Sequence, residues 1–345
     1  MRTITATPLS ERTTLRLGGP AARLVEAGTD DDLVSAVAVA DTAGEPLLVL
    51  GGGSNLVVAD DGFPGTVVAV STRGMVADAD RHHGVTVRVA AGENWDELVA
   101  AAVDGGWTGI EALSGIPGRV GAVPIQNVGA YGQEVADTIV SVHLWDRWHR
   151  MRRSLPASAC GFGYRSSRFK ADPHRFVVLE VTFRFGLGGL GEPVRYAELA
   201  AALGVDVGAR VPAREVREAV LALRRSKGMV LDEADHDTWS VGSFFTNPVL
   251  AADDAARLPA PAPRWPQPDG RVKTSAAWLI GAAGYSRGYA RGRVALSTKH
   301  TLALTNRGGA TTAELLALAR EIRDTVRQRF GVTLVNEPVI VGADL

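Results

Sequence analysis

Three polar side chains stand in apolar surroundings, where charge and proton chemistry would matter most. Arg165 lies in CGFGYRSSRFK, Ser243 in VGSFFTNP and Glu337 in VNEPVIV. An arginine can bind a carboxylate through two parallel hydrogen bonds, while hydroxyl and carboxyl groups can exchange protons with a substrate. Taken singly, each residue also has a structural interpretation, because a lone arginine is usually solvated and Glu337 can be a charge at the end of a strand.

A first glycine-rich segment, LGGGSNLVV, occupies positions 50 to 58. Consecutive glycines allow positive φ and a close approach of the backbone to a ligand. Their N–H groups, together with Ser54 and Asn55, can surround a diphosphate. The same pattern also fits a glycine-rich turn between two strands. No G-x-G-x-x-G pattern opens a helix here, so the segment is not a Rossmann dinucleotide motif.

A second segment, ALSGIPGRVGAVPIQNVGAYG, occupies positions 112 to 132 and carries almost no charge. Its glycines and prolines do not suit the interior of a helix or strand. Long ordered loops of this kind are usually functional. Apolar residues such as Ile116, Val120 and Val123 need burial, which disfavours a disordered linker. The segment is therefore predicted to wrap a flat heterocyclic cofactor and its pyrophosphate.

The elements that must position these segments alternate between helix and strand signals. Apolar residues at helical spacing follow the acidic run 30–32, and Asn94 with Glu97 predicts the start of a second helix over residues 95–103. Pro212 precedes an amphipathic helix, and a capping box from Thr311 to Glu314 opens a long one. Strands are predicted at residues 46–50, 66–70, 85–89, 139–145 and 176–185, and the C-terminal GVTLVNEPVIV is strand-like.

Two segments are predicted to lie outside regular structure. GLGGLGEP, residues 186–193, is predicted to be a linker between two parts of the chain. RLPAPAPRWPQPDG, residues 257–270, is too rich in proline for a helix or strand and is expected to be a mobile surface insertion.

The composition excludes several classes of function. The chain has 345 residues, of which 46% are hydrophobic and 22% charged, with a formal net charge of -1. It is thus a globular protein without the positive field that attracts nucleic acid or an anionic membrane. The single cysteine, Cys160, excludes an internal disulfide and a cysteine-based zinc site, and a packed thiol is expected.

The N-terminus lacks the apolar core of a signal peptide, and no apolar run approaches the roughly 20 residues that span a bilayer. We therefore expect a cytoplasmic protein without nucleic-acid or membrane partners.

Three segments that contain histidine raise other possibilities. His82 and His83 have no further ligand in view, which favours a turn over a metal site. HLWDRWHRMRR, residues 143–153, favours a solvated hairpin over a nucleic-acid surface. STKH, residues 297–300, favours a strand over a catalytic serine–histidine pair.

Together the motifs resemble the UDP-N-acetylenolpyruvoylglucosamine reductase (MurB) family. The likeness runs from TTLRLGGPA, residues 13–21, nearly to the C-terminus. GGGSN, IPGRVGAVPIQNVGAYG, GYRSSRFK, GSFFTNP, AAWLI, STKHTLALTN and EPVIV follow one another in the family's order. The resemblance implies an α+β fold, with a two-subdomain FAD-binding module of the vanillyl-alcohol-oxidase (PCMH) type and an α+β substrate-binding domain.

The resemblance also implies the domain limits. It places two FAD-binding subdomains at residues 1–70 and 71–225 and the substrate-binding domain at residues 226–330. Residues 331–345 would form a C-terminal strand that returns to the FAD-binding part.

Site residues follow from the same resemblance. Arg165, Ser243 and Glu337 take the catalytic positions. Tyr196, in VRYAEL, resembles the tyrosine that one subclass carries on a loop over the substrate. The positions matched to substrate binding are Tyr164, Tyr196, Lys227 and Asn247. Those matched to FAD are Gly51, Gly52, Gly53, Ser54, Asn55, Ser114, Gly115, Ile116, Pro117, Gly118, Gly121, Ala122, Gln126, Asn127, Gly129, Ala130, Tyr131 and Gly132. No metal is implied.

The implied reaction passes hydride from NADPH to FAD, and from flavin N5 to C3 of UDP-N-acetylglucosamine enolpyruvate, giving UDP-N-acetylmuramate for peptidoglycan synthesis. Arg165 would meet the negative charge that develops on C2 and its carboxylate, and Ser243 would protonate C2. Glu337 would be protonated or paired with Arg165, because a bare carboxylate there would oppose that charge. Lys227 would contact the diphosphate, with Asn247 beside it. NADPH and substrate would take turns at one site of a monomeric enzyme, which implies ping-pong kinetics.

One departure from the family concerns the nucleotide. Gly281 and Ala282 follow AWLI, where some members carry a polar pair, so the stretch from Tyr285 to Arg293 is the alternative place for uridine recognition. Two other functions are compatible with the same scaffold. One is a flavin oxidase of a different alcohol or sugar, and the other is a catalytically silent UDP-sugar-binding protein. Neither would need Arg165, Ser243 and Glu337 together.

Overall fold

The chain folds into two compact units. The computed structural model describes residues 2–4, 7–80 and 84–345, so His82 and His83, predicted to form a turn, lie outside the described residues. Unit 1 is assembled from Met1–Thr7, Ala21–Gly52 and Pro64–Ser226, and unit 2 from Pro8–Pro20, Gly53–Phe63 and Lys227–Leu345. The domain limits drawn from the sequence remain predictions, and each unit combines three separate stretches of chain.

Both helices and strands contribute to each unit, which agrees with an α+β class. The strands are β1 (Arg2–Ile4), β2 (Ala21–Ala27), β3 (Leu47–Leu50), β4 (Leu56–Val58), β5 (Phe63–Val70), β6 (Met75–Asp80), β7 (Gly84–Ala90), β8 (Trp107–Thr108), β9 (Gly129–Ala130), β10 (Gln133–Glu134), β11 (Ile139–Asp146), β12 (Met151–Pro156), β13 (Phe176–Leu187), β14 (Val249–Leu250), β15 (Trp265–Pro266), β16 (Val272–Lys273), β17 (Ala290–Arg291), β18 (Val294–Leu296), β19 (Leu304–Asn306) and β20 (Val339–Val341). The helices are α1 (Asp30–Ala43), α2 (Trp95–Asp104), α3 (Arg168–Ala171), α4 (Ala197–Leu203), α5 (Ala213–Ser226), α6 (Ala252–Ala256), α7 (Ala276–Ala282) and α8 (Thr312–Phe330).

The first sheet of unit 1 has the strand order β1-β2-β5-β3, with β3 and β5 parallel. Helix α1 lies between β2 and β3 in the chain. Its N-cap, Thr29, accepts a hydrogen bond from the backbone N of Asp32 at 3.1 Å. Acidic residues in the first turn complement the helix dipole. Leu33, Val37 and Ala40 are fully buried, which confirms the predicted apolar stripe.

The second sheet of unit 1 is antiparallel, in the order β12-β11-β13-β7-β6, with β8 pairing the end of β13. Helix α2 begins at Asn94, whose side chain accepts hydrogen bonds from the backbone N of Asp96 and Glu97, so the predicted cap is confirmed. The ring centroids of Trp95 and Phe183 lie 6.2 Å apart in the core. Val120 and Val123 of the segment 112–132 belong to the same buried core.

Unit 2 is built around α7 and α8, with the sheet β17-β18-β19 and the parallel pair β20-β4. The predicted capping box is confirmed, since the side chains of Thr311 and Glu314 each accept from the other's backbone N–H. Fully buried residues of α8 share one core with Phe244 and Phe245. Strand β20 fixes the chain just after Glu337 beside β4, and this places that glutamate in unit 2.

Several local predictions are wrong. The predicted linker begins as strand, because Gly186 and Leu187 pair with β8. The proline-rich segment contains β15, which pairs with β16, and Arg264 holds it by donating to carbonyl oxygens of neighbouring residues. Residues 297–300 form a turn rather than a strand, because the Ser297 hydroxyl captures the next backbone N–H groups. In the C-terminal segment only Val339–Val341 is strand.

The segment from His143 to Arg153 forms the predicted hairpin, from β11 into β12. None of the helices in the described stretches combines the length and the apolar character needed to cross a membrane.

Candidate active site

The two glycine-rich segments meet within unit 1. A methyl group added at Gly52 would lie 2.7 Å from Gly118 Cα and 3.2 Å from the Gly118 carbonyl carbon, so this contact needs a glycine at position 52. At Gly51 the same methyl would meet only side-chain atoms of Arg119 and Ala122, at 3.7 Å or more. Residues 53–55 of the same segment belong to unit 2.

Two carboxylates order the long loop from its ends. Asp96 accepts a hydrogen bond from the backbone N of Gly115 at 2.6 Å. It also accepts one from each terminal nitrogen of Arg217, at 2.6 and 2.9 Å. Burial alone would raise the pKa of Asp96, but these hydrogen bonds outweigh burial and hold the pKa below its usual value. Glu111, only 1% exposed, accepts from the side chain of Gln133 at 2.9 Å.

Backbone strain is concentrated where the long loop meets the arginine motif. Asn127, Tyr131 and Arg165 have φ of 47°, 49° and 51°, a region that residues other than glycine rarely occupy. Such strain collects at functional sites. The buried Asn127 side chain donates to Glu134 Oε2 at 2.7 Å and to the Gly163 carbonyl oxygen at 3.1 Å. These bonds tie the loop to the turn that carries Arg165.

Arg165 sits at the tip of a tight turn, since Gly163 and Ser166 exchange backbone hydrogen bonds at 3.0 and 3.1 Å. Its Nη2 donates to the Gly129 carbonyl oxygen at 2.8 Å. Its Cζ lies 5.6 Å from the centre of the exposed Tyr164 ring. The guanidinium is therefore held before any anion arrives.

Tyr196 stands at the start of α4 and is 48% exposed. Its ring meets that of Tyr131 edge to face, with centroids 5.7 Å apart. This contact brings the predicted substrate-loop tyrosine next to the end of the predicted cofactor loop, within unit 1.

Arg224 is a charged residue near this loop that the sequence analysis missed. It is 8% exposed, and burial lowers its pKa to about 10, opposed by Tyr131 and Asp96. The sequence did indicate that Arg224 is buried, because Val216, Val220 and Arg224 follow one another at four-residue spacing on the buried face of α5. A buried arginine at the end of an apolar stripe needs an anionic or aromatic group beside it.

In unit 2, the backbone of Phe244 brings two predicted catalytic residues together. Phe244 follows Ser243 and accepts a hydrogen bond from the backbone N of Glu337 at 2.8 Å. The Asn55 side chain donates to the Glu337 carbonyl oxygen at 3.4 Å, and the Asn55 carbonyl accepts from the backbone N of Val339 at 3.0 Å. Ser243, Glu337 and Asn55, which are far apart in the sequence, thus share one neighbourhood. Arg165 belongs to unit 1.

His300 is a second residue that the sequence analysis set aside and the structure brings to the site. Its Nε2 lies 3.4 Å from Ser243 Oγ. The predicted ligands of the diphosphate lie in the same unit. Asn247 Oδ1 accepts from the backbone N of Ala276 at the start of α7, at 3.0 Å, and Lys227 is half-buried where α5 ends.

Cys160 is fully buried, and burial raises the pKa of its thiol to about 11, so the packed thiol predicted from the sequence is confirmed. Among the described residues, no group of three or more histidine, cysteine, aspartate or glutamate side chains is arranged to hold a metal.

The residues of unit 1 fit a flat cofactor with a pyrophosphate. The contact between Gly52 and Gly118 leaves no room for a side chain between the two segments, and the Tyr131 ring contacts that of Tyr196 at the end of the long loop. Backbone N–H groups in such loops are suited to phosphate oxygens.

Comparisons with known proteins agree with this fit. A family model described as FAD binding domain matches residues 21–149, and one described as UDP-N-acetylenolpyruvoylglucosamine reductase, C-terminal domain, matches residues 233–341. The chain is 57% identical to the Thermobifida fusca UDP-N-acetylenolpyruvoylglucosamine reductase, over 98% of both chains. It is 49% identical to the Mycobacterium avium protein of the same name, over 99% of this chain and 95% of that protein.

The fold also matches a crystal structure of UDP-N-acetylenolpyruvylglucosamine reductase (MurB) from Thermus caldophilus. The TM-score is 0.66 at 25% identity, over 99% of both chains. The predicted α+β fold with an FAD-binding module is thereby confirmed. The chain belongs to the UDP-N-acetylenolpyruvoylglucosamine reductase (MurB) family and is a flavoprotein oxidoreductase that uses FAD.

Proposed function

We propose that the protein catalyses the NADPH-dependent reduction of UDP-N-acetylglucosamine enolpyruvate to UDP-N-acetylmuramate, a step of peptidoglycan precursor synthesis. The observation that carries the proposal is the similarity, over 98% of the chain, to a reductase named for this substrate. Arg165, Ser243 and Glu337 are the catalytic positions that the motif resemblance implies. Bound FAD supplies the hydride-transfer chemistry that these side chains alone cannot perform.

Arg165 binds and polarises the substrate carboxylate. Its Nη2 bond to Gly129 and its place at the tip of a strained turn fix the guanidinium before the substrate arrives. A preorganised cation stabilises negative charge that develops during hydride addition without having to reorganise. The planar fork also suits two-point binding of a carboxylate.

Ser243 gives the proton to C2 of the enolpyruvyl group. A hydroxyl is a weak acid, but a carbon with developing carbanion character is a strong base, so position matters more than acidity. The hydrogen bond from Glu337 N to the Phe244 carbonyl fixes the backbone next to Ser243. Glu337 is protonated, or paired with Arg165, during turnover, because a bare carboxylate would repel the developing charge.

Lys227 and Asn247 hold the diphosphate. Because Asn247 Oδ1 accepts from the backbone of α7, its Nδ2 is the atom that would donate to a phosphate oxygen. Tyr164 and Tyr196 bind the substrate from unit 1, where both are well exposed. We expect the protein to act as a monomer in the cytoplasm.

Steady-state turnover tests the proposal. Purified protein with FAD should oxidise NADPH only when UDP-N-acetylglucosamine enolpyruvate is present, and mass spectrometry should find one molecule of UDP-N-acetylmuramate for each NADPH consumed. NADPH oxidation that needs oxygen instead of the enolpyruvyl sugar would contradict it and indicate an oxidase. Tight binding of the sugar nucleotide without turnover would also contradict it.

A further inference from the structure

We propose that His300 is a positioning residue for Ser243. Its protonated ring donates a hydrogen bond from Nε2 to Ser243 Oγ and returns that proton to the oxygen after the hydroxyl has protonated the substrate. The inference rests on the proposed function, because it deepens the role given to Ser243. The two atoms lie 3.4 Å apart within unit 2. Catalytic hydrogen bonds are often long without substrate and shorten when it binds.

Hydrogen bonds to two neighbouring side chains hold the turn that carries His300. Ser297 is fully buried, and its Oγ accepts from the backbone N of Lys299 at 3.0 Å and of His300 at 3.2 Å. The next residue, Thr298, donates from its backbone N to Asp237 Oδ1 at 2.9 Å. These bonds set where the imidazole can lie.

The serine side of the pair is fixed to the same turn. The backbone N of Phe244, next to Ser243, donates to the Leu302 carbonyl oxygen at 2.7 Å. The bond spans neighbours of both partners, since Leu302 follows His300 by two positions. The backbone therefore holds Ser243 and His300 near each other.

The direction of the hydrogen bond decides what the pair can do. A serine hydroxyl has one proton to give and two lone pairs to accept with. When Nε2 donates to Oγ, the hydroxyl proton is free to point at the substrate carbon. The same N–H then stabilises the alkoxide as it forms.

The proton transfer is balanced within the site. The Ser243 O–H bond breaks as the new C–H bond at C2 forms, and the electron pair stays on Oγ. An imidazolium at His300 then gives its Nε2 proton to Oγ and becomes neutral imidazole. Because His300 is half-buried, water can return a proton to it before the next turnover, and imidazole exchanges protons readily near neutral pH.

A double-mutant cycle tests whether His300 acts through Ser243. The readout is the maximal rate at which the substrate reoxidises the NADPH-reduced flavin. His300→Ala should lower this rate roughly tenfold or more, with the rate of flavin reduction by NADPH and the apparent Kd for substrate almost unchanged. In the Ser243→Ala background, His300→Ala should add a factor of no more than about two.

Two further variants separate proton return from packing. His300→Gln should recover part of the loss, because its amide can still donate to Oγ but cannot return a proton. His174→Gln is the matched control, since His174 is exposed in unit 1, and it should behave as wild type. In ¹⁵N-histidine NMR spectra, Ser243→Ala should shift the His300 ring signals and leave those of His174 in place.

Three results would overturn the inference. The first is an unchanged reoxidation rate in His300→Ala. The second is a loss of rate in the double variant equal to the product of the two single losses. The third is a raised Kd for substrate at an unchanged maximal rate, which would make His300 a phosphate contact. Failure of the proposed function looks different, because wild-type reduced flavin would then not be reoxidised by the sugar nucleotide at all.

Discussion

At the scale of single residues, the catalytic candidates differ in how firmly the chain holds them. Arg165 combines a φ of 51° with a hydrogen bond from Nη2 to the Gly129 carbonyl oxygen. Ser243 and Glu337 depend on backbone bonds of Phe244 instead. The arginine is thus a preorganised group whose shape, and not only its charge, should matter.

Replacing Arg165 with lysine tests that expectation. Lysine keeps the positive charge but loses the planar fork and the Gly129 contact. We expect kcat for reduction of the enolpyruvyl sugar to fall by about 10²-fold or more, as for the loss of one donor to a developing anion. The matched control is Arg168→Lys, an exposed arginine in the same motif, which should keep wild-type kcat. Equal kcat in the two variants would contradict the role of Arg165.

The sequence could indicate which residue types matter, but not all their neighbours. Arg165, Ser243 and Glu337 were found by family resemblance, and their roles remain predictions. His300 was passed over because STKH also fitted a strand. Its nearness to Ser243 is visible only in the folded chain, from the bond of Phe244 N to the Leu302 carbonyl and the 3.4 Å between Nε2 and Oγ. Arg224 left a helical-spacing signal, but its partners come from distant segments.

At the scale of elements, helix caps and alternating strands are the features that the sequence predicts best. The caps at Asn94 and Thr311 are confirmed because capping depends on residues three positions apart. Strand β15 was missed because it is only two residues long and contains a proline, although Asp269 and Gly270 mark the turn that leads to its partner β16. Close backbone contacts, such as Gly52 against Gly118, are invisible in the sequence beyond the glycines themselves.

The glycine-on-glycine contact can be tested with a matched pair of variants. Gly52→Ala would place a methyl group 2.7 Å from Gly118 Cα and must shift one segment, whereas Gly51→Ala meets nothing closer than 3.7 Å. We expect Gly52→Ala to lower the free energy of unfolding of the FAD-free protein by about 1–3 kcal/mol. Gly51→Ala should lower it by less than about 0.5 kcal/mol. Urea denaturation measures both, and equal midpoints would contradict the contact.

The hairpin of β11 and β12 contains a buried carboxylate, although the sequence predicted a solvated hairpin. Asp146 is fully buried and accepts hydrogen bonds from Arg175, His149 and Arg153. Burial would raise the pKa of Asp146, but these bonds hold it far below its usual value. The stabilisation is thus complete above the unfolded pKa of about 4 and is lost as the pH falls through the lower folded value.

Acid unfolding should show how much the ionised Asp146 carboxylate stabilises the fold. Between about pH 4 and pH 2 the free energy of unfolding of the wild type should fall, and Asp146→Asn should show a weaker fall over the same window. Asp104→Asn, which changes an exposed ion pair with Arg214, should follow the wild-type curve. Chemical denaturation at a series of pH values measures this. Parallel curves for wild type and Asp146→Asn would contradict the assignment.

At the scale of the whole molecule, similarity over almost the full chain establishes the family and the flavin cofactor. Unit 1 contains the long glycine loop and Arg165, and unit 2 contains Ser243, Glu337 and His300. The sequence could predict the α+β class and the order of motifs. It could not predict that residues 8–20 and 53–63 group with the C-terminal half, because such contacts depend on the folded chain.

Anaerobic stopped-flow absorbance tests the central claim most directly. The FAD-loaded protein is first reduced with NADPH and then mixed with UDP-N-acetylglucosamine enolpyruvate in the absence of oxygen. We predict rapid return of the oxidised flavin absorbance, with formation of UDP-N-acetylmuramate. Flavin that stays reduced in the presence of this substrate, and is reoxidised only when air is admitted, would contradict the proposed function.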